Sequence, residues 1–266
     1  MRLSEITKYL EEIAPLRFQE DYDNSGLIYG DPDMSISGAI IALDATVDVI
    51  NEAIEKKYNL VITHHPIIFK GIKKFDPSYY VDRAVIQAIK NDIAIYAIHT
   101  NLDNVLANGV NFKIGQKLGL THLEVLRPSK KNHLETDYQI GAGAIGKLKE
   151  PMSESRFFDY LKGKMNLSTI KHTKILNKKV ESVALCGGAG SFLISEAQVR
   201  DADVFVTSDL KYHEFFDANE TMILVDIGHY ESEFYTIELL SELISQKFPK
   251  FAAHYTKVIT NPVFYY

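Results

Sequence analysis

Continuous apolar runs are the most regular feature of the first half of the chain. The segments 38–44, 60–62 and 93–98 are such runs, which are typical of strands buried on both faces of a parallel sheet. Between them, apolar residues recur at helical spacing, and Thr46 is a candidate N-cap for the helix after the first run. This order predicts strand–helix–strand units with a right-handed crossover, and therefore an α/β fold.

A polar, turn-rich segment at 21–27 follows an amphipathic helix that is predicted to open the chain and to end near Pro15. Asp and Asn in such segments usually hydrogen-bond their own backbone. We therefore interpret 21–27 as a loop, with the approach of its side chains to a site as the alternative.

Two adjacent histidines, His64 and His65, follow the apolar run 60–62. Pro66 cannot donate to a sheet, so the strand should end there and present both rings at its carboxyl end, where ligands bind in open parallel sheets. Imidazole is the commonest metal ligand, and an adjacent pair can serve two ions, or one ion and a substrate. The alternative is one strand cap and one solvated ring.

The next predicted strand, 93–98, ends in His99, and Asp103 follows. These side chains should leave the same sheet edge as the histidine pair, and such convergence is typical of a functional site. Lys73 and Lys74 lie on a predicted loop over the strand ends. They are candidates to neutralise a substrate phosphate, although lysines on loops are often only solvated.

An internal repeat gives independent support. The segment 183–190 begins a second strand–helix–strand unit, and aligning Thr207 with Thr63 places Ser208-Asp209 opposite the histidine pair. Further along, His229 and Glu233 align with His99 and Asp103. A carboxylate four residues after a histidine lies on the same face of a helix, and Gly228 can supply the bend before it.

A duplicated fold with a pseudo-two-fold relation would bring the strand ends of both copies toward one cleft. Nitrogen and oxygen ligands of this kind suit a pair of zinc, manganese, iron or nickel ions. The alternative is that the repeat is purely structural and that its histidines only end strands. The candidate ligands are His64, His65, Asp103, His229 and Glu233, with His99 close by and with Asp209, Lys211 and His213 as substrate or outer groups.

Composition narrows the alternatives. With 29 basic and 35 acidic residues, the net charge of −6 disfavours a general nucleic-acid surface. The single cysteine, Cys186, excludes an internal disulfide and a cysteine-rich zinc site. The N-terminus lacks the apolar core of a signal peptide, and no apolar segment has the length of a membrane span. We therefore expect a cytoplasmic protein without a membrane partner.

The polar segment 129–137 is a candidate subdomain boundary. The sequence therefore predicts two intertwined, duplicated α/β subdomains with mixed sheets. The first comprises 1–127 plus 229–266 and carries most candidate ligands, and the second comprises 128–228.

Five motifs together resemble the GTP cyclohydrolase I type 2 homologues, also called Nif-three-like proteins, over nearly the whole chain. Tyr22 stands where that family usually has tryptophan, and the length resembles that of its short members. The motifs are Asp23–Leu27, Thr63–Pro66 with Phe69–Gly71, His99–Asp103, Thr207–His213 and Gly228–Glu233.

The resemblance implies a duplicated α/β fold, a ring-shaped homohexamer and a dinuclear metal site. By motif position, the ligands are the five candidates already named from the repeat. The family name implies hydrolytic opening of the guanine ring of GTP. We therefore expect a metal-dependent hydrolase acting on a nucleotide or related phosphorylated compound, with His99 as base or proton shuttle. The alternatives are a non-catalytic protein that stores, delivers or chaperones metal, or a regulatory oligomer.

Overall fold

The computed structural model describes residues 1–129 and 138–266, which group into two units. The first unit comprises Met1–Leu102 and Thr236–Tyr266, and the second comprises Asp103–Tyr235. Beyond Ser129, the polar segment that the sequence indicates as a boundary lies outside the described residues.

The helices and strands follow one another along the chain as the apolar pattern predicts for an α/β protein. The strands are β1 (Gly26–Tyr29), β2 (Ala39–Ala42), β3 (Leu60–Thr63), β4 (Ala94–Ala97), β5 (Thr121–Pro128), β6 (Gly141–Ser153), β7 (Lys171–His172), β8 (Lys179–Ala189), β9 (Val204–Ser208), β10 (Ile223–Asp226) and β11 (Ala253–Tyr255). The α-helices are α1 (Leu3–Ile13), α2 (Val47–Lys56), α3 (Tyr80–Lys90), α4 (Thr100–Asp103), α5 (Val110–Lys117), α6 (Glu154–Met165), α7 (Ile194–Val199), α8 (His229–Glu233) and α9 (Thr236–Lys247).

The first unit contains a mixed sheet in the order β1-β4-β3-β2-β11. Every neighbouring pair is parallel except β1 with β4. All residues of β2, β3 and β4 are buried, as their continuous apolar runs predict. The side chain of Thr46 accepts a hydrogen bond from the backbone N–H of Val49 at 3.2 Å, which confirms its role as the N-cap of α2.

The second unit contains a mixed sheet in the order β5-β6-β8-β9-β10-β7. Its central strands β8, β9 and β10 are parallel, like β2, β3 and β4 in the first unit. Equivalent hydrogen bonds follow the two matched threonines: Ile98 donates to the Thr63 carbonyl and Ile227 to the Thr207 carbonyl, both at 2.9 Å. This correspondence confirms the duplication that the sequence repeat predicts.

Residues 103–127 and 229–235, which the sequence pattern placed with the first subdomain, lie in the second unit. Strand β5 extends the second sheet by pairing antiparallel with β6, and α8 packs against β8. The boundaries of folding subdomains themselves stay a prediction.

Strand β7 is two residues long and pairs antiparallel with β10 at the edge of the second sheet. Further along, the Glu154 carboxylate accepts hydrogen bonds from the backbone N–H groups of Leu176, Asn177 and Lys178. These amides are turned toward α6 and cannot continue a sheet ladder.

No helix in the described part of the chain is long and apolar enough to cross a bilayer.

Candidate metal centre

Three histidines of the first unit meet at the carboxyl ends of two adjacent parallel strands. His64 and His65 directly follow β3, and His99 follows β4. Their rings lie 5.0 to 5.3 Å apart between centroids, and one ligand nitrogen from each lies within 4.8 Å of the others. His64 is fully buried. The histidines therefore converge as the strand-end argument predicts, and they could hold a metal ion.

Each of these rings is held through Nδ1 by one acceptor. Carbonyl and carboxylate oxygens cannot donate, so Nδ1 carries a proton, and in the neutral imidazole Nε2 then has the lone pair that can bind a metal. The acceptors, all 2.8 Å away, are the Ile98 carbonyl for His64, Asp44 Oδ1 for His65 and Asp23 Oδ1 for His99.

The interpretation of segment 21–27 as a loop that satisfies only its own backbone is wrong for Asp23. Burial alone would raise the pKa of Asp23, but hydrogen bonds from His99 and Thr100 outweigh it and hold the pKa well below its ordinary range. Burial would also raise the pKa of Asp44, but interactions led by the hydrogen bond from His65 outweigh this effect and lower the pKa below its ordinary value. Asp44 follows β2 as His65 follows β3, and this shared edge was the signal that could have identified it.

In the second unit, His229 begins α8 and Glu233 lies one turn later. His229 Nε2 is 3.0 Å from Glu233 Oε2, which confirms that this pair shares one helix face. Ligand atoms that are each about 2.1 Å from one ion lie roughly 3.0 to 3.4 Å apart at angles of roughly 90° to 110°. His229 Nδ1 donates to Asp209 Oδ2 at 2.7 Å, so this fourth ring also has an outer carboxylate.

Two carboxylates of the second unit lie side by side. One oxygen of Asp103 is within 4.8 Å of one oxygen of Glu233, whose residue is only 3% exposed. Burial, together with the charges of Asp103 and Glu233, raises the pKa of the Cys186 thiol. Neighbouring carboxylates in a buried setting repel each other, and a divalent cation would offset that repulsion.

Gly188 makes room for the Glu233 carboxylate. A Cβ at this position would lie 2.3 Å from Glu233 Oε1, and the φ angle of +66° also favours glycine. The Gly188 N–H donates to Ser232 Oγ at 2.9 Å, which ties β8 to α8. The described histidines offer nitrogen ligands, and Asp103 and Glu233 offer oxygen ligands. Together with the space beside Gly188, these ligands fit ions such as zinc, manganese, iron or nickel.

The candidate substrate residues all have exposed side chains. Lys73 and Lys74 lie in the loop between β3 and α3, as predicted. Lys211 precedes the 3-10 helix Tyr212–Ala218, and the His213 ring contacts those of Tyr212 and Phe216. Their binding roles stay predictions. Phe69 belongs to one of the five motifs but was not among the candidate site residues, and its half-exposed ring meets His99 edge-on at 5.7 Å between centroids.

Comparison with known proteins gives consistent matches. The family model described as Duf34/NIF3 (NGG1p interacting factor 3) matches residues 1–262. A Clostridium acetobutylicum protein named GTP cyclohydrolase 1 type 2 homolog is 33% identical over 243 residues, which cover 91% of this chain and 89% of that relative. A Campylobacter jejuni protein of the same name is also 33% identical, with 91% of each chain covered.

Solved structures agree with these sequence matches. The crystal structure of a Staphylococcus aureus hypothetical protein superposes with a TM-score of 0.91 at 30% identity, covering 100% of this chain and 99% of the other. A Bacillus cereus protein described as related to NIF3 superposes with a TM-score of 0.89 at 24% identity, covering 100% of this chain and 99% of the other. The second similarity concerns the fold alone.

Proposed function

The chain belongs to the Duf34/NIF3 family, and on this premise we propose that it binds divalent metal ions and uses them to hydrolyse a nucleotide or a related phosphorylated compound. One observation carries the proposal: the three histidines proposed as ligands, His64, His65 and His229, each have Nδ1 held by an acceptor, which assigns Nε2 as the ligand atom. Because the relatives are named GTP cyclohydrolase 1 type 2 homolog, GTP is the first substrate to test.

The proposed metal ligands are the strand-end histidines of the first unit and the helix-borne groups of the second. We infer that they hold about two ions per chain, of zinc, iron, manganese or nickel. Such ions supply a nucleophilic water at neutral pH and polarise the bond under attack. The residues are His64, His65, Asp103, His229 and Glu233.

His99 is the proposed proton carrier. Because Asp23 holds its Nδ1–H, Nε2 is the atom that accepts a proton from water and returns it to the departing ring nitrogen. Opening a purine ring by hydrolysis adds one water across a C–N bond, and this transfer balances the protons of that step. Lys73, Lys74, Lys211 and His213 are proposed to bind the phosphate groups.

Metal content and turnover, measured on the same samples, test the proposal. Elemental analysis of gently purified wild type should give about two ions per chain, and Asp103→Ala should lose metal together with GTP hydrolysis. Asp217→Ala is a matched control, because Asp217 is an exposed carboxylate of the same unit. Its metal content and rate should equal those of wild type.

The results also separate the alternatives. Wild type that holds metal but turns over neither GTP nor other phosphorylated nucleotides would favour metal storage or delivery. Wild type that takes up no metal on reconstitution would contradict the whole proposal. The homohexameric ring stays a prediction, which light scattering of the metal-loaded protein would test.

A further inference from the structure

The C-terminal segment 256–261 begins beside the metal-facing edge of the first sheet. Strand β11 pairs parallel with β2, and the N–H of Thr256 extends the pairing by donating to the Ile41 carbonyl at 2.8 Å. Strand β2 ends at Ala42, and Asp44 follows shortly after. Since parallel strands end at the same edge, the C-terminal segment leaves the sheet next to Asp44.

Glu52 on α2 fixes the course of this segment. Its carboxylate accepts hydrogen bonds from the Thr256 hydroxyl and, at 3.0 Å, from the backbone N–H of Lys257. The N–H of Val258 in turn donates to Thr256 Oγ1 at 3.0 Å. These bonds hold the chain after β11 against α2 and direct it toward Asp44.

Thr260 completes the connection to a candidate ligand. Its hydroxyl donates to Asp44 Oδ2 at 2.7 Å, while Asp44 Oδ1 accepts the proton of His65 Nδ1 at 2.8 Å. Each Asp44 oxygen therefore has a defined donor. The Asp44 side chain is 38% exposed, so a carboxylate without the Thr260 hydroxyl would exchange that bond for water and sample other rotamers.

We propose that Thr260 and Asp44 are positioning residues for His65, and that the C-terminal segment thereby sets the metal affinity of the site. The inference rests on the proposed function, in which His65 is a ligand. Thr260 fixes the Asp44 carboxylate, and Asp44 fixes the ring plane and the Nδ1–H tautomer of His65. Cleavage or displacement of the segment would loosen this ligand and lower the affinity.

Cobalt titration of the full chain, followed by visible absorption, is the first test. Thr260→Val removes the hydroxyl at nearly constant shape and should weaken Co²⁺ binding by about 3- to 10-fold, whereas Asp44→Asn should weaken it by about 10- to 100-fold. Thr260→Ser should restore wild-type affinity. Thr7→Val is the matched control, because the Thr7 hydroxyl donates within α1 to the Ser4 carbonyl, at 3.5 Å, and lies far along the chain from Asp44.

A second measurement does not depend on metal. Long-range proton–nitrogen NMR of the metal-free protein should show the Nδ1–H tautomer of His65 in wild type and a mixture of tautomers in Thr260→Val. Equal cobalt affinity in Thr260→Val and wild type, with the same tautomer, would overturn this inference and leave the proposed metal site standing. Absence of cobalt binding by wild type would overturn both.

Discussion

Asp23 accepts a hydrogen bond from His99 Nδ1 at 2.8 Å, and the Asp23 side chain is fully buried. The same carboxylate accepts hydrogen bonds from the Ser25 hydroxyl at 2.9 Å and the Thr100 N–H at 3.0 Å. It thus joins the turn before β1 to the histidine after β4 and to the start of α4. A short polar loop near the N-terminus therefore determines which nitrogen of His99 faces the other histidines.

Asp23→Asn should lower the free energy of unfolding by about 1–3 kcal/mol at neutral pH, since an amide cannot accept all of these bonds. The folded-state pKa of Asp23 is depressed, so the stabilisation by its ionised form is complete above the unfolded pKa of about 3.9 and is lost as the pH falls through the lower folded pKa. Urea unfolding at several pH values should show that the free energies of unfolding of wild type and Asp23→Asn differ by a constant amount near neutrality, and that this difference narrows below about pH 4. A difference that is independent of pH would contradict this role.

Gly188→Ala should displace Glu233, because the new Cβ would approach Oε1 to 2.3 Å on a backbone with φ of +66°. We expect zinc binding to weaken by at least about tenfold and stability to fall by more than about 1 kcal/mol. Isothermal titration and thermal unfolding measure the two effects. Gly163→Ala is the control, since Gly163 lies within α6 with open space around it, and it should stabilise by about 0.5–1 kcal/mol.

The parallel strands were predictable because both faces of each are covered. Every residue of β3 and β4 is apolar or buried. Such a run can be recognised in the sequence as a buried strand without knowing which strands lie beside it. Strand β5 was not predicted, because only Val125 and Leu126 of its residues are buried. It is an edge strand whose pairing with β6 becomes apparent only in the folded sheet.

The sequence repeat has a register that is off by one residue at the ends of β4 and β10. In the structure, Thr63 lies opposite Ala97 and Thr207 opposite Asp226, so the ladder position of His99 corresponds to Gly228. Gly228, with φ of 91°, is an additional residue that carries His229 into α8. As a result, His229 meets Glu233 within a helix, whereas His99 stands before α4 and bonds Asp23.

The outer carboxylates show where a single sequence is insufficient. Asp23 and Asp44 lie 76 and 21 residues from the histidines that they hold, and no local pattern joins them. The predicted parallel pair β2–β3 could have pointed to Asp44, but only the strand order, with β1 beside β4, brings Asp23 to the same edge. Side-chain contacts between strands depend on this tertiary order rather than on local periodicity.

Metal addition should raise the thermal midpoint of the wild type. An ion that binds only the folded chain, at a free concentration of about 100 times its Kd, stabilises the fold by about 2.7 kcal/mol. His64→Ala removes one proposed ligand of the first unit, and Glu233→Gln removes one of the second. Each should reduce or abolish the zinc-dependent shift of the thermal midpoint. Glu55→Gln, an exposed change on α2, should keep it. Differential scanning fluorimetry with and without zinc gives the comparison, and an intact shift in Glu233→Gln would remove Glu233 from the ligand set.

Asp226 anchors both backbone segments that carry the His229–Asp209 pair. It is 2% exposed and accepts hydrogen bonds from the N–H groups of Leu210 and Gly228, each at 3.1 Å. Leu210 follows Asp209 and Gly228 precedes His229, so Asp226 fixes the loop on either side of that hydrogen bond. Lys171 Nζ also reaches its Oδ2 at 2.7 Å.

Two substitutions separate loop anchoring from the ion pair. Asp226→Asn cannot accept all of these bonds, so it should lower the free energy of unfolding by about 1–3 kcal/mol and weaken zinc binding as the His229 loop loosens. Lys171→Met should cost less than about 1 kcal/mol and leave zinc affinity unchanged, because the lysine side chain is 64% exposed and its attraction is screened by solvent. Urea unfolding and zinc titration of both variants make the comparison. Equal losses in the two variants would show that the ion pair, rather than the backbone bonds, holds this end of the second sheet.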